Sequence, residues 1–567
     1  MARSENNLHA VLQDTADAIR SKTGGTDAIC PRDFADKIEE ISTGGETFHV
    51  YVVDYDGTII AEKDCVAGEQ YTLPVAPPTH EGLVFDGWSC PVPIVNGKIT
   101  VTDQPIAVGP MYHTASGYTE FDIDVGDGFV MDFSIWASGS EKDWGDGTVD
   151  SLNSHTYVTG GKYTIIYKGN DTAFSMLGSS GGGSVSTAYS IKAVRVSNKI
   201  TSFNSGGLRY CSALEYITIP NTVTTLNQYL FGDCKNLKAL IIPNLVTSIS
   251  QYCFYYCDDL KYIVMPNTIT SIGQYSFQNC VSLDFINLPS GVTSIGNYAF
   301  YLCCYLEYIN IPSTVKTLGN NVFYQCFRLK GIVLPEGLTT IGESCFESCY
   351  ELNNANIPST VTNIGQKAFY NCSALSSSIT WPSGVTTIPQ SCFNSCYELP
   401  SITIPSGVTN IGNTAFGYCF NLNEIILPNT VTTLGTNLFM QAGITQITLS
   451  TALSSIGAGC FYYTGALKGS LTLPNSITTV PGSLFGYSTI ESVTFLGDIT
   501  SVGSSAFGYS SCMVFDFTHC TSVPTLSDSY AFTGCNSGFK VLVPASLETT
   551  WKNASNWAGW SSHIVGV

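Results

Sequence analysis

The chain has 567 residues, of which 44% are hydrophobic and 12% are charged. The length allows several domains, and the low charge content is typical of a large buried core. The formal net charge of −20, with 24 Lys and Arg residues, argues against nucleic acid and against an anionic membrane as the main partner. Membrane insertion is not expected, because no apolar run reaches the roughly 18 residues that a spanning helix needs.

Residues 1–44 show the apolar periodicity of two short helices. Leu8 and Leu12 fall on one face of the first helix, and Phe34 and Ile38 fall on one face of the second. The stretch has neither the apolar segment nor the cleavage site of a secretory signal, so no leader peptide is predicted. Because two such helices bury too little surface to fold alone, we expect them to dock onto a partner.

The segment from Leu12 to Ile38 resembles N-terminal segments of tail and baseplate-associated proteins of bacteriophages. The resemblance implies that residues 1–44 anchor the chain to tail or baseplate subunits of a virion. A generic helical hairpin that precedes the next domain is the alternative, because many helices share this periodicity.

A first β module is predicted over residues 46–114. The residues from Thr47 to Val53 alternate as a strand, and a turn follows at Asp56-Gly57. Together with Gly82-Leu-Val-Phe-Asp-Gly-Trp88, they resemble the internalin-type B repeat, a small β-grasp module. Modules of that family usually space or present other domains, so the resemblance implies a supporting role.

A second β module is predicted over residues 117–170. Its motifs Asp143-Trp-Gly-Asp-Gly-Thr148 and His155-Thr-Tyr157 resemble the PKD-type immunoglobulin-like domain, a β-sandwich. Residues 171–190 follow, with a stretch rich in Gly and Ser, and are predicted to form a flexible linker.

Two acidic clusters in the second module are candidates for a calcium site. They consist of Asp122, Asp124 and Asp127, and of Asp143, Asp146 and Asp150. Neither has the Asp-x-Asp-x-Asp-Gly spacing, followed by a distant Glu, that forms an oxygen cage. Turn chemistry at Asp-Gly pairs explains them better. No metal and no cofactor are therefore predicted, and calcium binding is the alternative.

From residue 191 to residue 545 the sequence repeats with a period of 23 residues. The unit reads Leu-x-x-Ile-x-Ile-Pro, then Val-Thr-x-Ile-Gly, then Ala-Phe-x-x-Cys. Its apolar spacing changes from alternation to a helical period, which predicts a strand, a turn and a short helical segment in each coil. One coil cannot bury its own apolar side, so identical columns must stack into a solenoid of about 15 coils.

These repeats resemble the BspA-type leucine-rich-repeat family, which is known from surface and secreted proteins of gut and oral bacteria and from phages. The resemblance covers residues 191–545 and implies a mainly β solenoid with short helices. It implies little about the ligand, since repeat scaffolds bind many different things.

One repeat position carries a cysteine in ten coils, here called the cysteine ladder. Its members are Cys211, Cys234, Cys257, Cys280, Cys303, Cys326, Cys349, Cys372, Cys396 and Cys419. We predict small buried side chains that stay reduced, because the Cβ vectors of stacked neighbours point the same way. Pairwise oxidation is the alternative.

No catalytic constellation is found in the sequence. Between residues 191 and 518 there is no histidine to activate a nucleophile. Glu351 and Glu398 occupy one column two coils apart, with Ala374 between them, and are interpreted as solvated charges rather than a catalytic pair. The chain is therefore predicted not to be an enzyme.

The outward positions of the predicted strands offer a candidate binding surface. Four aromatic residues share the first outward position: Tyr216, Tyr262, Phe285 and Tyr308. Exposed stacked rings offer flat faces to a glycan or protein of a host surface. The alternative is that aromatic residues simply favour strands. A second aromatic column follows the cysteine ladder at Phe327, Tyr350, Tyr397 and Phe420.

Residues 546–567 depart from the repeat and carry Trp551, Trp557 and Trp560. An open solenoid exposes an apolar end, and large aromatic side chains cover such an end with few residues. We therefore predict a C-terminal cap.

These observations favour a phage tail fibre or baseplate protein, exposed on the virion, that binds a host cell-surface receptor through its repeats. A bacterial cell-surface adhesin and a structural tail spacer without a ligand are the alternatives. The receptor and the oligomeric state, a homo-oligomer included, stay open at this point.

Overall fold

The structure is a computed structural model that describes residues 47–102, 104–133, 140–174 and 185–567. The predicted anchor at residues 1–44 lies outside the described residues. The fold is mainly β, and about sixteen turns of about 23 residues form a β-solenoid. The predicted fold class is confirmed.

The first β module contains a four-stranded sheet in the order β2-β1-β6-β4 and a two-stranded antiparallel sheet of β3 and β5. Its strands are β1 (Thr47–Val53), β2 (Ile59–Val66), β3 (Gln70–Thr72), β4 (Leu83–Ser89), β5 (Lys98–Thr100) and β6 (Ile106–Thr114). Successive side chains of a strand point to opposite faces. Val50 and Val52 therefore enter the core of the module, while Tyr51 between them points to the solenoid.

The second β module shares a sheet with the solenoid. Its strands are β7 (Thr119–Val125), β8 (Phe129–Asp132), β9 (Lys142–Asp143), β10 (Val149–Asp150), β11 (Ser154–Tyr157), β12 (Gly161–Tyr167) and β13 (Ala173–Phe174). Strand β7 pairs with β12 on one side and with Ile191–Arg195, the first solenoid strand, on the other. The module therefore closes the N-terminal end of the solenoid, and one hydrophobic core continues from Phe121 to Ile564.

The segment 171–190, which was expected to be a linker, contributes to this end of the solenoid. Strand β13 pairs in parallel with Ser202–Phe203, and the ring of Phe174 stacks 5.8 Å from that of Phe121. Helix α1 (Val185–Ser190) leads directly into the first solenoid strand. Strand β13 therefore docks onto the solenoid, while helix α1 packs against β7 and β8 of the second β module.

Most coils contribute strands to two rows. The first strand row consists of Ile191–Arg195, Tyr216–Thr218, Ala239–Ile241, Tyr262–Val264, Phe285–Ile286, Tyr308–Ile309, Gly331–Val333, Asn354–Asn356, Ile379–Thr380, Ile402–Thr403, Glu424–Ile426, Gln446–Thr448, Ser470–Leu473, Ser492–Phe495, Val514–Asp516 and Lys540–Val543. The second strand row consists of Ser202–Phe203, Ser248–Ile249, Ser271–Ile272, Ser294–Ile295, Thr317–Leu318, Thr340–Ile341, Asn363–Ile364, Thr387–Ile388, Asn410–Ile411, Thr433–Leu434, Ser455–Ile456, Thr479–Val480, Ser501–Val502 and Thr525–Leu526. Paired strands run parallel and one coil apart, so equal positions of the repeat lie side by side.

The third part of each coil is a run of turns, not the short helix that the apolar spacing predicted. Two residues per coil, four positions apart, have left-handed φ angles, for example 57° at Tyr252 and 58° at Tyr256. The N–H groups of Tyr252, Phe254 and Tyr256 donate to carbonyls of the next coil at 2.8–3.0 Å. A helix would direct these groups to carbonyls four residues earlier in its own segment. The stacking of coils therefore replaces the helical hydrogen bonds.

The regular spacing of Phe and Cys in the repeat produces two buried columns. Phenylalanine rings stack from coil to coil, with centroids 5.3 Å apart for Phe277 and Phe300. All ten cysteines of the ladder are fully buried, as predicted. The thiol of Cys303 donates to the carbonyl of Phe277 at 3.1 Å, and most of the other ladder cysteines repeat this bond. The reduced thiol thus has its own structural role in each coil.

The C-terminal segment covers the last coils of the solenoid. It consists of a 3-10 helix (Ala545–Leu547), helix α2 (Glu548–Asn553), a second 3-10 helix (Ala558–His563) and a strand (Ile564–Gly566). Trp551 and Trp557 are fully buried against the last coils, and the indole N–H of Trp557 donates to the Pro524 carbonyl at 2.8 Å. The final strand pairs with Lys540–Val543 and extends the first strand row.

A substitution in the cysteine ladder tests its role. Cys303→Ala should lower the free energy of unfolding by roughly 1–2 kcal/mol, because it leaves a small cavity. The carbonyl of Phe277 keeps the hydrogen bond from the Cys280 N–H, so the substitution leaves no buried carbonyl without a hydrogen bond. Thermal unfolding with and without reductant should give the same melting temperature. A large fall on reduction would show that disulfides bridge the coils.

Candidate binding face

The first β module lies on the outward face of the first strand row. The ring of Tyr51 stacks on that of Phe285 with centroids 5.4 Å apart and lies 6.4 Å from that of Tyr262. The ring of Tyr55 meets that of Tyr216 edge-on at 5.5 Å. Three of the four residues predicted to bind a ligand therefore lie in an intramolecular interface, and the expectation that they are exposed is corrected.

Tyr308 is the one member of the predicted set with an open surface, at 49% exposure. It lies one coil beyond Phe285, where the first β module ends. The assignment of Tyr216, Tyr262, Phe285 and Tyr308 to ligand binding stays a prediction.

An apolar cluster holds the first β module against the solenoid. Ala107 and Met111 of β6 pack with Ile241 and Val264 of the first strand row, and all four are buried. Gly109 permits the close approach, since a Cβ there would lie 2.2 Å from Ile241 Cδ1. Burial of this kind stabilises by about 25 cal/mol for each Å² of apolar surface removed from water.

Hydrogen bonds fix the register of this contact. Asn287 uses both ends of its amide: Oδ1 accepts from the Ala107 N–H at 3.0 Å, and Nδ2 donates to the Pro105 carbonyl. The hydroxyl of Ser89 donates to the Ile242 carbonyl at 2.7 Å. Asn287 is only 4% exposed, so its two bonds form away from water and specify the position of β6.

The aromatic contact also changes the acidity of the partly buried phenol of Tyr55. Tyr55 packs edge-on against the rings of Tyr112 and His80. Burial in this cluster raises the pKa of Tyr55 to about 12. The phenol therefore stays neutral throughout the physiological range, which suits a residue that packs rather than reacts.

Sequence reasoning missed this docking, although β6 carries a signal for it. Nearly every residue of the strand is buried, because Ile106 and Val108 enter the module core and Ala107 and Met111 meet the solenoid. A strand that is apolar on both faces needs a cover on both faces. The run Ile-Ala-Val-Gly-Pro-Met-Tyr could therefore have predicted a second contact surface.

A cleft opens where the first β module ends on the first strand row. We call it the module cleft, and its volume is about 490 Å³. It is lined by Thr47, Phe48, His49, Gln104, Pro105, Tyr308, Ile309, Asn310, Gly331 and Val333. None of these described residues is Asp, Glu, Lys or Arg. Tyr308 and Val333 are exposed, so the cleft presents apolar surface beside the amides of Gln104 and Asn310.

The second aromatic column lies outside this cleft. The rings of Phe327 and Tyr350 stack 5.0 Å apart, and those of Tyr397 and Phe420 stack 5.2 Å apart. A further exposed stack, which sequence reasoning missed, consists of Tyr463, Tyr487 and Tyr509. Each of these three tyrosines lies two positions after a phenylalanine of the buried column. This recurrence in the sequence is the signal that could have predicted the stack.

The acidic clusters of the second module serve turns and ion pairs. Asp146 accepts from the Thr148 N–H, and Asp150 accepts from the indole N–H of Trp144, both at 3.0 Å. Asp122 instead forms a two-point ion pair with Arg195 at 2.6 and 2.7 Å. Within the described ranges, no three His, Cys, Asp or Glu side chains come together as a metal site.

Arg195 connects the second β module to the first solenoid strand. Burial alone raises the pKa of Asp122, but hydrogen bonds from Arg195 and Thr164 outweigh it. The pKa of Asp122 therefore lies below its ordinary value of 3.8. Arg195 also donates to Glu120 at 3.0 Å, so two carboxylates of β7 hold one guanidinium.

In the part of the chain that the structure describes, no helix has both the length and the apolar character required to cross a membrane.

A family model described as the BspA type leucine rich repeat region matches this sequence. The matched segments are residues 182–304, 247–376, 386–514 and 469–556, which together span more than half of the chain. No curated protein matches the sequence.

Three solved structures show the kind of protein that this chain resembles. A leucine-rich repeat protein from Bacteroides ovatus ATCC 8483 is 25% identical, with a TM-score of 0.38, over 53% of this chain and 94% of that chain. The leucine rich repeat protein of T. pallidum is 30% identical, with a TM-score of 0.27, over 33% and 78%. A leucine rich cell surface protein from Faecalibacterium prausnitzii A2-165 is 23% identical, with a TM-score of 0.38, over 58% and 92%. TM-scores this low carry no argument about function.

The Asn287 amide can be tested separately from the rest of the fold. Asn287→Ala should weaken the contact of the first β module by roughly 1–3 kcal/mol, because a buried donor and acceptor of the backbone lose their partner. Hydrogen exchange of the Ala107 amide should accelerate accordingly. Asn310→Ala, one coil along the same column, is the control and should leave that amide unchanged. Equal exchange in both variants would contradict the assigned role.

The ion pair at Arg195 predicts a pH-dependent stability. Folding depresses the pKa of Asp122, so the pair stabilises the fold at neutral pH and loses this contribution as the pH falls through the folded pKa. Asp122→Asn should lower the melting temperature at neutral pH, and its difference from wild type should shrink below about pH 4. Asp124→Asn, on the exposed face of β7, is the matched control. A pH-independent difference would rule out the ion pair as the cause.

Proposed function

Since this chain belongs to the BspA-type leucine-rich repeat family, we propose that it is a non-enzymatic binding protein that acts as an adhesin at a bacterial cell surface. The proposed partner is a glycan or protein on another cell. The repeats supply the binding surface, and the two β modules fix where that surface begins.

The observation that carries this proposal is the open part of the first strand row. The first β module covers the outward positions at Ile241, Val264 and Asn287, which are 4%, 1% and 4% exposed. Farther along the same column, Val333 and Ile426 are 73% and 59% exposed. The column therefore changes from buried to exposed where the first β module ends, and a sheet face that is left open in this way is accessible to a partner.

The side chains of the open face indicate which class of partner fits it. The open face also carries the carboxylate of Glu424 and outward amides and hydroxyls at Asn354, Asn356, Thr380, Thr403, Gln446 and Thr448. A surface of this kind forms hydrogen bonds and apolar contacts without a strong field. It suits an uncharged partner surface better than a charged polymer.

The phage tail assignment stays a prediction, and so do the likenesses of residues 46–114 and 117–170 to internalin-type and PKD-type domains. Immunogold labelling of the source organism, with antibody to residues 191–545, distinguishes the two locations. Label on the bacterial envelope supports the adhesin. Label confined to virions would overturn it in favour of the tail protein.

A charge inserted into the open face tests the binding role. The double variant Asn356→Glu and Ile426→Glu should reduce binding of labelled protein to host cells at least tenfold, or about 1.4 kcal/mol. Since both sites are exposed, the free energy of unfolding should change by less than about 0.5 kcal/mol for each substitution. Flow cytometry measures the first effect, and thermal unfolding measures the second.

The matched control places the same charges directly before two strands of the second strand row. Thr339→Glu and Thr409→Glu are also exposed positions of the solenoid, so they carry the same change in net charge. Normal cell binding by both double variants would remove the open face from the proposed function.

A further inference from the structure

The second aromatic column is interrupted at Ser373. The rings of Phe327 and Tyr350 stack before this residue, and those of Tyr397 and Phe420 stack after it. Ser373 holds the same repeat position in the coil between them, directly after a cysteine of the ladder. A serine side chain is too short to take the place of a ring. The column therefore lacks one ring between Tyr350 and Tyr397.

The backbone continues regularly through the coil that carries Ser373. The Ala374 N–H donates to the Tyr350 carbonyl of the previous coil at 3.1 Å. The Glu398 N–H of the next coil donates to the Ser373 carbonyl at 3.3 Å. Since adjacent parallel strands lie about 4.8 Å apart, two coil steps separate Tyr350 from Tyr397 by about 10 Å. This spacing leaves room for one flat group, and we call the space the aromatic slot.

The walls of the aromatic slot are open to solvent. Tyr350 and Tyr397 are 41% and 39% exposed. In the described part of the chain, the ring of Tyr350 stacks only on Phe327, and the ring of Tyr397 stacks only on Phe420. Each wall therefore has one covered face and one face without a stacked ring. On the floor, the hydroxyl of Ser373 donates to the Tyr350 carbonyl at 3.2 Å.

Two carboxylates border the aromatic slot. Glu351 and Glu398 directly follow the two wall tyrosines, and both are exposed. Ala374 holds the same repeat position in the coil between them, so only a methyl group stands there. The carboxylate of Glu398 accepts from the Asn421 amide at 2.5 Å. This bond lies at the surface, where a charged ligand can replace it at little cost.

The charge around the aromatic slot is not neutralised by nearby cations. Between Tyr350 and Phe420 the sequence contains one basic residue, Lys367. Its ammonium lies 3.9 Å from the carboxylate of Glu347. On the coil before Tyr350, Lys330 pairs with Glu307 at 2.7 Å. The border of the slot therefore attracts a positive group.

The chain itself contains a cation on two tyrosine rings beside a carboxylate. The guanidinium of Arg209 lies over the rings of Tyr210 and Tyr229, at 4.5 and 4.3 Å from their centroids. Its Nε lies 3.5 Å from a carboxylate oxygen of Asp233. The same three kinds of group meet here that the aromatic slot would bring together with an arginine.

A second arginine repeats this combination. The guanidinium of Arg328 lies 4.4 Å from the ring centroid of Tyr305 and 3.5 Å from a carboxylate oxygen of Glu307. A guanidinium is flat, so it can lie against ring faces while its N–H groups point to carboxylates at the edge. An ammonium is a compact and strongly hydrated charge that lacks this shape. The slot therefore fits arginine better than lysine.

Another interrupted aromatic column of this chain is already occupied. In the first strand row, Ala239 stands between Tyr216 and Tyr262. Gly57 of the first β module lies against this alanine, since a Cβ on Gly57 would lie 3.5 Å from the Ala239 Cβ. The ring of Tyr55 meets that of Tyr216 at 5.5 Å. A missing ring in this solenoid is thus a place where another segment docks.

We propose that the aromatic slot binds the guanidinium group of an arginine that a partner protein presents. The guanidinium lies flat between Tyr350 and Tyr397, and its N–H groups donate to Glu351 and to Glu398. The formal net charge of −20 favours the approach of such a partner. The slot lies outside the strands that form the open face, so this inference goes beyond the proposed function and does not rest on it.

Nα-acetylarginine amide is the probe, and saturation-transfer NMR with the full chain measures its binding. Nα-acetyllysine amide carries the same charge without the flat group, and Nα-acetylcitrulline amide carries a flat group without the charge. The arginine probe should bind at least about fivefold more tightly than either. No binding of the arginine probe would overturn the proposal. Equal binding of the lysine probe would do so as well, because it would show general attraction to an acidic chain.

Filling the aromatic slot is the decisive substitution. Ser373→Tyr completes the column, so the melting temperature should stay equal or rise, while binding of the arginine probe should fall at least about fivefold. Val281→Tyr is the matched control, because it adds the same ring to the same repeat position four coils earlier. This control should bind the probe as the wild type does. Normal binding by a folded Ser373→Tyr variant would contradict the proposed site.

A variant at the border keeps the test valid if the filled slot impairs folding. Glu351→Gln together with Glu398→Gln changes exposed side chains only, and it should weaken the arginine probe at least about fivefold without changing the melting temperature. Unchanged binding by this double variant would overturn the role of the carboxylates. Binding of a neutral oligosaccharide that Ser373→Tyr blocks and the double variant retains would assign the slot to a sugar instead of arginine.

Discussion

The structure depends on the fact that no coil completes its own hydrogen bonds. In the turn segment, alternate N–H groups such as those of Tyr252 and Phe254 donate to carbonyls of the following coil. The apolar columns have the same requirement, since Phe277 is covered by the rings of the coils before and after it. The backbone hydrogen bonds and the apolar core of each coil therefore both require an adjacent coil. The stability of the solenoid is shared along the stack of coils.

This constraint explains why both ends of the solenoid have unique structures. At the N-terminal end, β7 pairs with Ile191–Arg195 and extends the first strand row into the second β module. At the C-terminal end, Trp551 and Trp557 cover the last coils. A repeat cannot supply these covers, because a further repeat would expose the same surface again. The two caps have different architectures, yet both combine one added strand with a cluster of aromatic side chains.

The periodic part of the fold could be predicted from the sequence, because each position is repeated many times. The core columns of Phe and Cys and the direction of the strands follow from the repeat. The prediction of a short helix in each coil was wrong. Apolar residues spaced three and four apart occur both in a helix and in a run of turns that contains left-handed residues such as Tyr252. The helix and the run of turns differ in which carbonyls accept the hydrogen bonds of the N–H groups. The apolar pattern does not encode this difference.

The candidate site could be predicted only in part, because it arises where two parts of the chain with different patterns meet. The strand register placed Tyr262 and Phe285 on the outward face correctly. Their cover comes from Tyr51 and β6, which share no period with the repeat. Contacts between a module and a solenoid depend on individual side chains such as Asn287, and one sequence gives little information on such pairings.

The first β module also gives the solenoid a property that the repeats lack. A regular face offers the same surface at every coil, so a partner could bind in many equivalent registers. The module ends this equivalence, because the column that is covered at Asn287 becomes open at Asn310. Phe48 and His49 of the module and Tyr308 of the solenoid line one cleft at this step, and the module does not reach the coils beyond it. The repeats provide area for binding, and the module specifies one position on that area.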